Sequence, residues 1–155
     1  MFSLSILAPL ALVLTTGTDA APAPCATTLI EQAEFAHSLN EFRAHAGLAP
    51  VRPNADIARS AARHSNDMAA RNLLTHDGQH GGDFVFRLKN EGYQPLAAAE
   101  NVAWNQRSVD HVMRDWQASP SHQRALLKSN VADYGLARAC AANGEPYWTL
   151  VLAQR

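Results

Sequence analysis

The sequence predicts an α+β domain in which helices pack on a small, mostly antiparallel sheet. Three observations support this prediction: segments with helical apolar stripes come first, a strand-like segment interrupts them, and two strand-like segments joined by a turn close the chain. Helices and strands in that order are typical of an α+β domain. The 155 residues suffice for one domain with a single core and are short for two.

The first predicted helix runs from Thr28 to Gly47. Thr28 and Glu31 form a capping box at its start, and Gly47 is a natural residue to end it. The residues that follow, 48–53, contain two prolines and are predicted to be a connector. The apolar stripe of the helix recurs at i, i+4, i+7 and i+11, at Phe35, Leu39, Phe42 and Ala46.

The second predicted helix is capped by Asn54 and ends near Asn72. One of its faces is formed by Ile57, Ala61, His64 and Met68. A histidine on such a face is more often a hydrogen-bonded core residue than a ligand. We therefore leave His64 out of the candidate site.

The segment from Leu73 to Gly82 is too rich in glycine for regular structure, and loops of this composition often hold functional residues. His76 and His80 have a spacing that places two rings on one face only when the backbone is helical. Because Gly78 argues against a helix, the two histidines are a weak indication of a metal pair.

A predicted strand, Leu96 to Trp104, carries a single acidic residue, Glu100. The strand follows a short third helix that Asp83 caps and Gly92 ends. Because the rest of the strand is uncharged, a carboxylate there needs a partner or a raised pKa. The alternative is a glutamate on the solvent face of an edge strand.

A Ser-Pro junction follows the fourth predicted helix, which Ser108 caps. Ser119 is a good N-cap and Pro120 suits the first helical position, so His122 falls in the first turn of a fifth helix. There the positive end of the helix dipole favours a neutral ring able to accept a proton or bind a metal. The alternative is a surface histidine. The apolar stripe of the fourth helix consists of Val109, Val112, Met113 and Trp116.

The N-terminal segment indicates export. Residues 1–14 form an apolar run that is too short to span a bilayer, and the small residues from Ala20 onward suit a signal-peptidase site. We therefore predict a signal peptide over residues 1–20, a mature N-terminal segment over 21–28 and one domain over 29–155. The destination is the medium, a wall or a periplasm.

The chain ends in two predicted strands, Asp133 to Cys140 and Tyr147 to Ala153, joined by a turn through residues 143–146. Cys140 and Cys25 are the two cysteines of the chain. In an exported protein such a pair is more often a disulfide than two free thiols, so we predict that bond. Closing so long a loop contributes up to about 4 kcal/mol in the chain-entropy model.

Charge excludes one class of partner. Thirteen basic and fourteen acidic side chains leave a net charge of −1 with no basic stripe, so we expect no nucleic-acid ligand. After the predicted signal no long apolar run remains, and we expect no stable membrane span. Seven histidines make the net charge sensitive to mildly acidic pH.

In this order, the segments resemble the CAP superfamily of cysteine-rich secretory proteins, antigen 5 and plant pathogenesis-related proteins, in its short bacterial form. The match covers nearly all of the mature chain without a break in order. The matching residues are Leu39, Asn40, Arg43, Gly47, Leu48, His64, Ser65, Asp67, Met68, Ala69, Thr75, His76, Ala99 to Ala103, Trp116, Ser119, Pro120, His122, Tyr134 to Ala137 and Tyr147 to Thr149.

The resemblance implies an α/β/α sandwich, with helices on both sides of a central sheet, and a cleft where His76 and Glu100 converge. In longer eukaryotic members a second glutamate and a second histidine complete a tetrad. Here Ser119 stands near the first of those positions and Tyr147 at the second, which argues against a two-histidine metal site of that kind. His122 is the ring that recurs in bacterial members. We therefore predict a cleft lined by these two histidines and Glu100, with Tyr147 at its rim.

Two functions fit these residues. The first is a secreted, monomeric binding module whose cleft takes a lipid, a sterol or another small or extended ligand, or an extracellular protein. The second is a hydrolase that uses a zinc ion or another divalent metal held by His76 and His122, or Glu100 as base without a metal. The sequence contains no G-x-S-x-G motif and no free catalytic thiol, which favours the first function.

Overall fold

The computed structural model describes residues 25–79 and 81–155. The predicted signal peptide and residues 21–24 of the predicted mature N-terminal segment lie outside the described residues. None of the helices in the described ranges is both long and apolar enough to cross a membrane. The elements in chain order are α1 Leu29–His45, β1 Arg52–Pro53, α2 Ala55–Arg71, α3 Phe84–Asn90, β2 Ala97–Trp104, α4 Val109–Ala118, α5 Pro120–Leu126, β3 Asp133–Cys140 and β4 Pro146–Gln154.

The sheet has the order β1-β3-β4-β2, and the prediction of a small, mostly antiparallel sheet is confirmed. β4 lies in the middle and pairs antiparallel with both β2 and β3. β1 is parallel to β3 over two residues, and the prediction of a plain connector there was wrong. The amides of Arg52 and Asn54 donate to the carbonyls of Ala132 and Tyr134. Pro53 has no amide to donate, and it lies in an edge strand, where sheets tolerate proline.

Helices cover both faces of the sheet, as the α/β/α prediction requires. Alternate residues of a strand point to opposite faces, so Leu150 and Trp148 face α1, α4 and α5, whereas Thr149 and Val151 face α2 and α3. α2 lies directly on the second face. A Cβ added at Gly135 would lie 2.3 Å from the backbone nitrogen of Ala58, so only glycine permits this close approach.

The predicted helix starts are confirmed with one correction. Thr28 and Glu31 form the capping box of α1, while the side chains of Asn54, Asp83 and Ser108 accept from first-turn amides of α2, α3 and α4. At α5, Ser119 is the N-cap and Pro120 is the first helical residue, as predicted. The Ser119 hydroxyl, however, lies 3.0 Å from that of Ser121 and caps no amide within the described residues, because the neighbouring hydroxyl competes for it.

The predicted disulfide between Cys25 and Cys140 is confirmed. The two Cα atoms are 5.6 Å apart, within the usual range for a disulfide, and the bond spans 115 residues. It ties the segment before α1 to the end of β3. Arg138 strengthens the same junction, because its guanidinium donates to the carbonyl of Cys25 and to the carboxylate of Glu31.

Candidate functional site

Glu100 is the centre of the candidate site. Its side chain is 1% exposed on the edge strand β2, yet it is fully partnered. Oε1 accepts a hydrogen bond from Nδ1 of His76 at 2.9 Å, and Oε2 accepts one from Nη2 of Arg87. The alternative prediction, a glutamate that faces solvent, was therefore wrong. The partner that a buried carboxylate needs is supplied by both His76 and Arg87.

Arg87 is the residue that the sequence analysis missed. It lies on α3, and its Nη1 donates to the carbonyls of His76 at 2.9 Å and Gly82 at 3.1 Å. One guanidinium therefore holds both the buried carboxylate and the backbone of the loop that carries His76. The charge-assisted pairing stabilises the Glu100 carboxylate away from water. A basic residue on an amphipathic helix gives no local signal that would have indicated this role.

His64 orients the same loop from α2. Its ring is 1% exposed, and Nε2 lies 2.8 Å from the carbonyl of Thr75. Burial lowers the pKa of His64, so the ring is neutral near pH 7, and Nε2 carries the proton that it donates to this carbonyl. The prediction of a hydrogen-bonded core histidine is confirmed. Because Thr75 precedes His76, this bond also positions His76.

His76 joins the buried carboxylate to the surface. The hydrogen bond to Glu100 raises the pKa of His76 above its ordinary value of 6.5, although partial burial opposes the shift. Its side chain is 56% exposed. Since Nδ1 donates to Glu100, Nε2 is the ring nitrogen left for a ligand or a proton.

The backbone of His122 is held on the other face of the sheet. Asn101 follows Glu100 on β2 and points to the opposite face, where its Nδ2 donates to the backbone carbonyl of His122 at 3.1 Å. β2 is an edge strand, so the backbone of His122 and the His76–Glu100 pair lie on opposite faces of the same sheet edge, and a cleft that they share stays a prediction. Burial, and then the charge of the nearby His76, lower the pKa of His122. The sequence also predicted a ring that favours its neutral form, but it attributed this to the helix dipole, whereas the causes are burial and the charge of His76.

A buried arginine holds the far end of α5. Nη1 of Arg43 donates to the carbonyl of Leu126 at 2.7 Å and to that of Lys128 at 2.9 Å. These carbonyls lie at the C-terminal end of α5, where backbone acceptors lack helical donors. Arg43 at one end and Asn101 at the other therefore fix the helix that carries His122.

Tyr147 is not brought to the His76–Glu100 pair. It is 2% exposed and packs in a cluster with Met68 and Val102. Its ring lies 6.5 Å from that of Trp104, the residue opposite it on β2. Tyr147 shares the sheet face of Glu100 but lies four positions further along the strand pairing, so its placement at the cleft rim stays a prediction.

The side chains around Glu100 do not fit a divalent metal. In residues 25–79 and 81–155, no three histidine, cysteine or acidic side chains converge as metal ligands would. His80 lies outside the described residues. Both oxygens of Glu100 are engaged, and the guanidinium of Arg87 beside them repels a cation. The hydrogen-bonded arrangement thus suits a neutral or anionic group better than a metal ion.

Two sequence comparisons bear on the identity of the chain. The model of one family, described as CAP: Cysteine-rich secretory protein family, matches residues 37–152. The uncharacterized protein YkwD of Bacillus subtilis is 28% identical over 97 residues, which make up 63% of this chain and 38% of that protein. The match therefore spans well under half the length of this relative.

Two solved structures share the fold. An outer surface protein from Borrelia burgdorferi has a TM-score of 0.76 at 17% identity, over 83% of this chain and 96% of that chain. An extracellular protein containing an SCP domain from Bacillus anthracis has a TM-score of 0.70 at 21% identity, over 79% of this chain and 40% of that chain. At these identities the likeness establishes the fold alone.

Proposed function

Because this chain belongs to the CAP, or cysteine-rich secretory protein, family, we propose that it is an exported binding module. Its cleft around His76 and His122 takes a lipid or another small ligand with a polar head group. The disulfide between Cys25 and Cys140 supports an oxidising compartment outside the cytoplasm. The apolar run over residues 1–14 supports the same destination.

The observation that carries this proposal is that the side chain of Glu100 is 1% exposed and that both of its carboxylate oxygens already accept hydrogen bonds. Arg87 and His76 each occupy one of the two oxygens. The polar groups left to a ligand are therefore Nε2 of His76 and the ring of His122. Two imidazoles suit a hydroxyl or carboxyl head group, because a ring nitrogen either accepts or donates according to its protonation.

Apolar surface next to His76 supports a lipid among the possible ligands. Leu73 and Leu74 precede His76 in the same loop segment, and they are 48% and 46% exposed. A head group bonded to the imidazoles leaves the tail of the ligand within reach of these leucines. Sites for small ligands commonly combine an apolar wall with a few placed polar groups.

The test is a titration of the purified protein with palmitate and with cholesterol. We expect saturable binding of at least one probe. His76→Gln should weaken that binding about tenfold, which corresponds to about 1.4 kcal/mol. The matched control is His37→Gln, because His37 is a histidine with 83% of its side chain exposed on α1. A folded protein that binds neither probe, or a His76→Gln variant that binds like the control, would contradict the lipid proposal.

A hydrolase is the second candidate, and the orientation of His76 is the observation that favours it. A carboxylate that accepts from Nδ1 selects the tautomer whose Nε2 can take a proton, as a general base requires. In this version Glu100 orients the base and is not the base itself. The sequence analysis considered Glu100 itself as the base. To act in that way, Glu100 would have to release either His76 or Arg87.

The hydrolase candidate is tested with an activated ester, p-nitrophenyl butyrate. A true activity should fall about a hundredfold in His76→Gln, because a general base contributes at least that much. The wild-type rate should rise with pH through a value above 6.5, since the base acts only when His76 is deprotonated. Equal rates for wild type, His76→Gln and His37→Gln would remove this candidate.

A further inference from the structure

A second cavity lies between α2, α3 and the loop that precedes α3. Its volume is about 430 Å³, within the range of small-molecule sites. Arg87, whose Nη atoms donate to Glu100 and to the carbonyl of His76, also lines this cavity, so the cavity adjoins the His76–Glu100 pair. Further polar lining residues come from α2 and the loop: Arg63, Asn66, Asp67 and Gln79.

The charged side chains of Arg63 and Asp67 each form an ion pair with a residue outside this cavity. Nε of Arg63 lies 2.5 Å from the carboxylate of Glu91, and the carboxylate of Asp67 lies 2.6 Å from Nη2 of Arg71. Neither Glu91 nor Arg71 is among the described residues that line the cavity. The cavity therefore presents hydrogen-bonding groups with little net charge, which favours a neutral ligand over a phosphate or a metal ion.

The hydrogen-bonding groups include both donors and acceptors. The guanidinium of Arg63 supplies donors, and Asp67 supplies acceptors. Nδ2 of Asn66 is used on the carbonyl of Ala62, so its side-chain oxygen is the atom left to accept. Gln79, which is exposed, adds an amide with both functions. Such a mixture matches hydroxyl groups, because each hydroxyl both donates and accepts.

An exposed aromatic ring completes the lining. Phe86 is 55% exposed on α3, although large apolar side chains usually avoid water. One side of its ring rests on Gly82, where an added Cβ would lie 2.4 Å from the ring carbon Cδ1. The absence of a side chain at Gly82 thus lets the ring lie against the loop as part of the cavity wall.

We propose that this cavity is a binding site for a neutral saccharide, separate from the His76–His122 cleft. The C–H groups on one side of a sugar ring pack on an aromatic face, and the hydroxyls around its edge need both donors and acceptors. Phe86 supplies the aromatic face. The hydrogen-bond donors and acceptors come from Arg63, Asn66, Asp67 and Gln79. The balanced charges account for the selection of a neutral sugar.

The experiment titrates the full chain with three neutral trisaccharides, maltotriose, cellotriose and N,N′,N″-triacetylchitotriose, by saturation-transfer NMR and calorimetry. We expect saturable binding of at least one of them. Phe86→Ala should weaken it about tenfold, which corresponds to about 1.4 kcal/mol, while Phe86→Tyr should retain it because the aromatic face remains. The matched control is Leu29→Ala, since Leu29 is an equally apolar residue that is 89% exposed on α1.

A second variant tests the placement of the ring without removing it. In Gly82→Ala the new Cβ collides with Phe86 and moves the ring, so we expect binding to weaken while the thermal transition of the protein is retained. Three outcomes would overturn the proposal. They are no saturable binding by any of the trisaccharides, binding unchanged in Phe86→Ala, and tighter binding of a sulfated trisaccharide with a steep dependence on salt.

Discussion

The two faces of the central sheet are built from different chemistry. The face toward α1, α4 and α5 is closed by aromatic and aliphatic side chains, with Phe35, Trp116 and Trp148 at its centre. The face toward α2 and α3 mixes apolar residues with buried polar ones, among them Ser65, Thr149, His64 and Glu100. The candidate site begins on this second face.

The difference shows where this fold can hold a functional group. Burial of apolar area is non-directional, so the apolar contacts of the first face stabilise the sheet without placing any one atom. A buried carboxylate persists only where other elements bring partners to it. Glu100 receives Arg87 from α3 and His76 from the preceding loop, and both partners are held in turn by further bonds. The polar face therefore positions the chemistry, and the apolar face supplies much of the stability.

The largest effect is expected on the apolar face. Phe35→Ala should reduce the free energy of unfolding by about 3–5 kcal/mol, because it leaves a cavity between the rings of Trp116 and Tyr134. Chemical denaturation measures this loss. The matched control is the exposed Phe86→Ala, which should change stability by less than about 0.5 kcal/mol. Equal losses in the two variants would contradict the division between the faces.

On the polar face, Arg87→Met should cost about 3 kcal/mol, because it removes the cation that accompanies a buried carboxylate. The double variant Arg87→Met/Glu100→Gln should recover part of the loss, since no unpaired buried charge remains. Chemical denaturation of both variants measures this recovery. Arg114→Met is the control, because Arg114 forms only an exposed ion pair with Asp110. A double variant that is no more stable than Arg87→Met would count against the electrostatic role.

A smaller effect is expected from the buried hydroxyl pair on the same face. The hydroxyls of Ser65 and Thr149 lie 2.9 Å apart. Ser65→Ala should cost about 1–2 kcal/mol, because it leaves the Thr149 hydroxyl buried without this partner. The double variant Ser65→Ala/Thr149→Val should recover part of the loss, since no unpaired hydroxyl remains. Additive losses in the unfolding free energy would show that the two hydroxyls are not coupled.

The smallest effect concerns His76 and His122, which are bonded to neighbouring residues of β2. In His76→Gln the pKa of His122 should rise, because the charge of His76 no longer opposes its protonation. It should stay below the ordinary value of 6.5, since burial is the larger cause of the shift. NMR titration of the ring protons measures this, with His37→Gln as the control. A pKa of His122 that does not move would mean that the two rings do not share one cleft.

Protonation of His76 also links the site to stability. Because the folded pKa of His76 is raised, its contribution is fully present below the unfolded value of 6.5. The contribution is lost as pH rises through the higher folded value. The side chain is more than half exposed, so solvent screening keeps this contribution small.

Much of the fold was predictable because its signals are local. The capping box at Thr28, the cap at Asn54 and the turn before Tyr147 each act within a few residues, and the corresponding elements were found. β1 was missed for the opposite reason. Arg52 and Pro53 form a strand only because β3 lies beside them, and nothing in their own segment indicates that neighbour.

The sequence by itself determined the order of the elements apart from β1, the fold class, the disulfide partners and the candidates His76 and Glu100. Only the tertiary structure decided that Glu100 also binds Arg87, because Arg87 lies 13 residues away on a different element. It also decided that Asn101 holds the backbone of His122 on the opposite face and that Tyr147 packs with Met68 and Val102. Periodicity specifies which face of an element is apolar. The pairing of charges depends on how those elements cross in space, and that is settled only when they pack together.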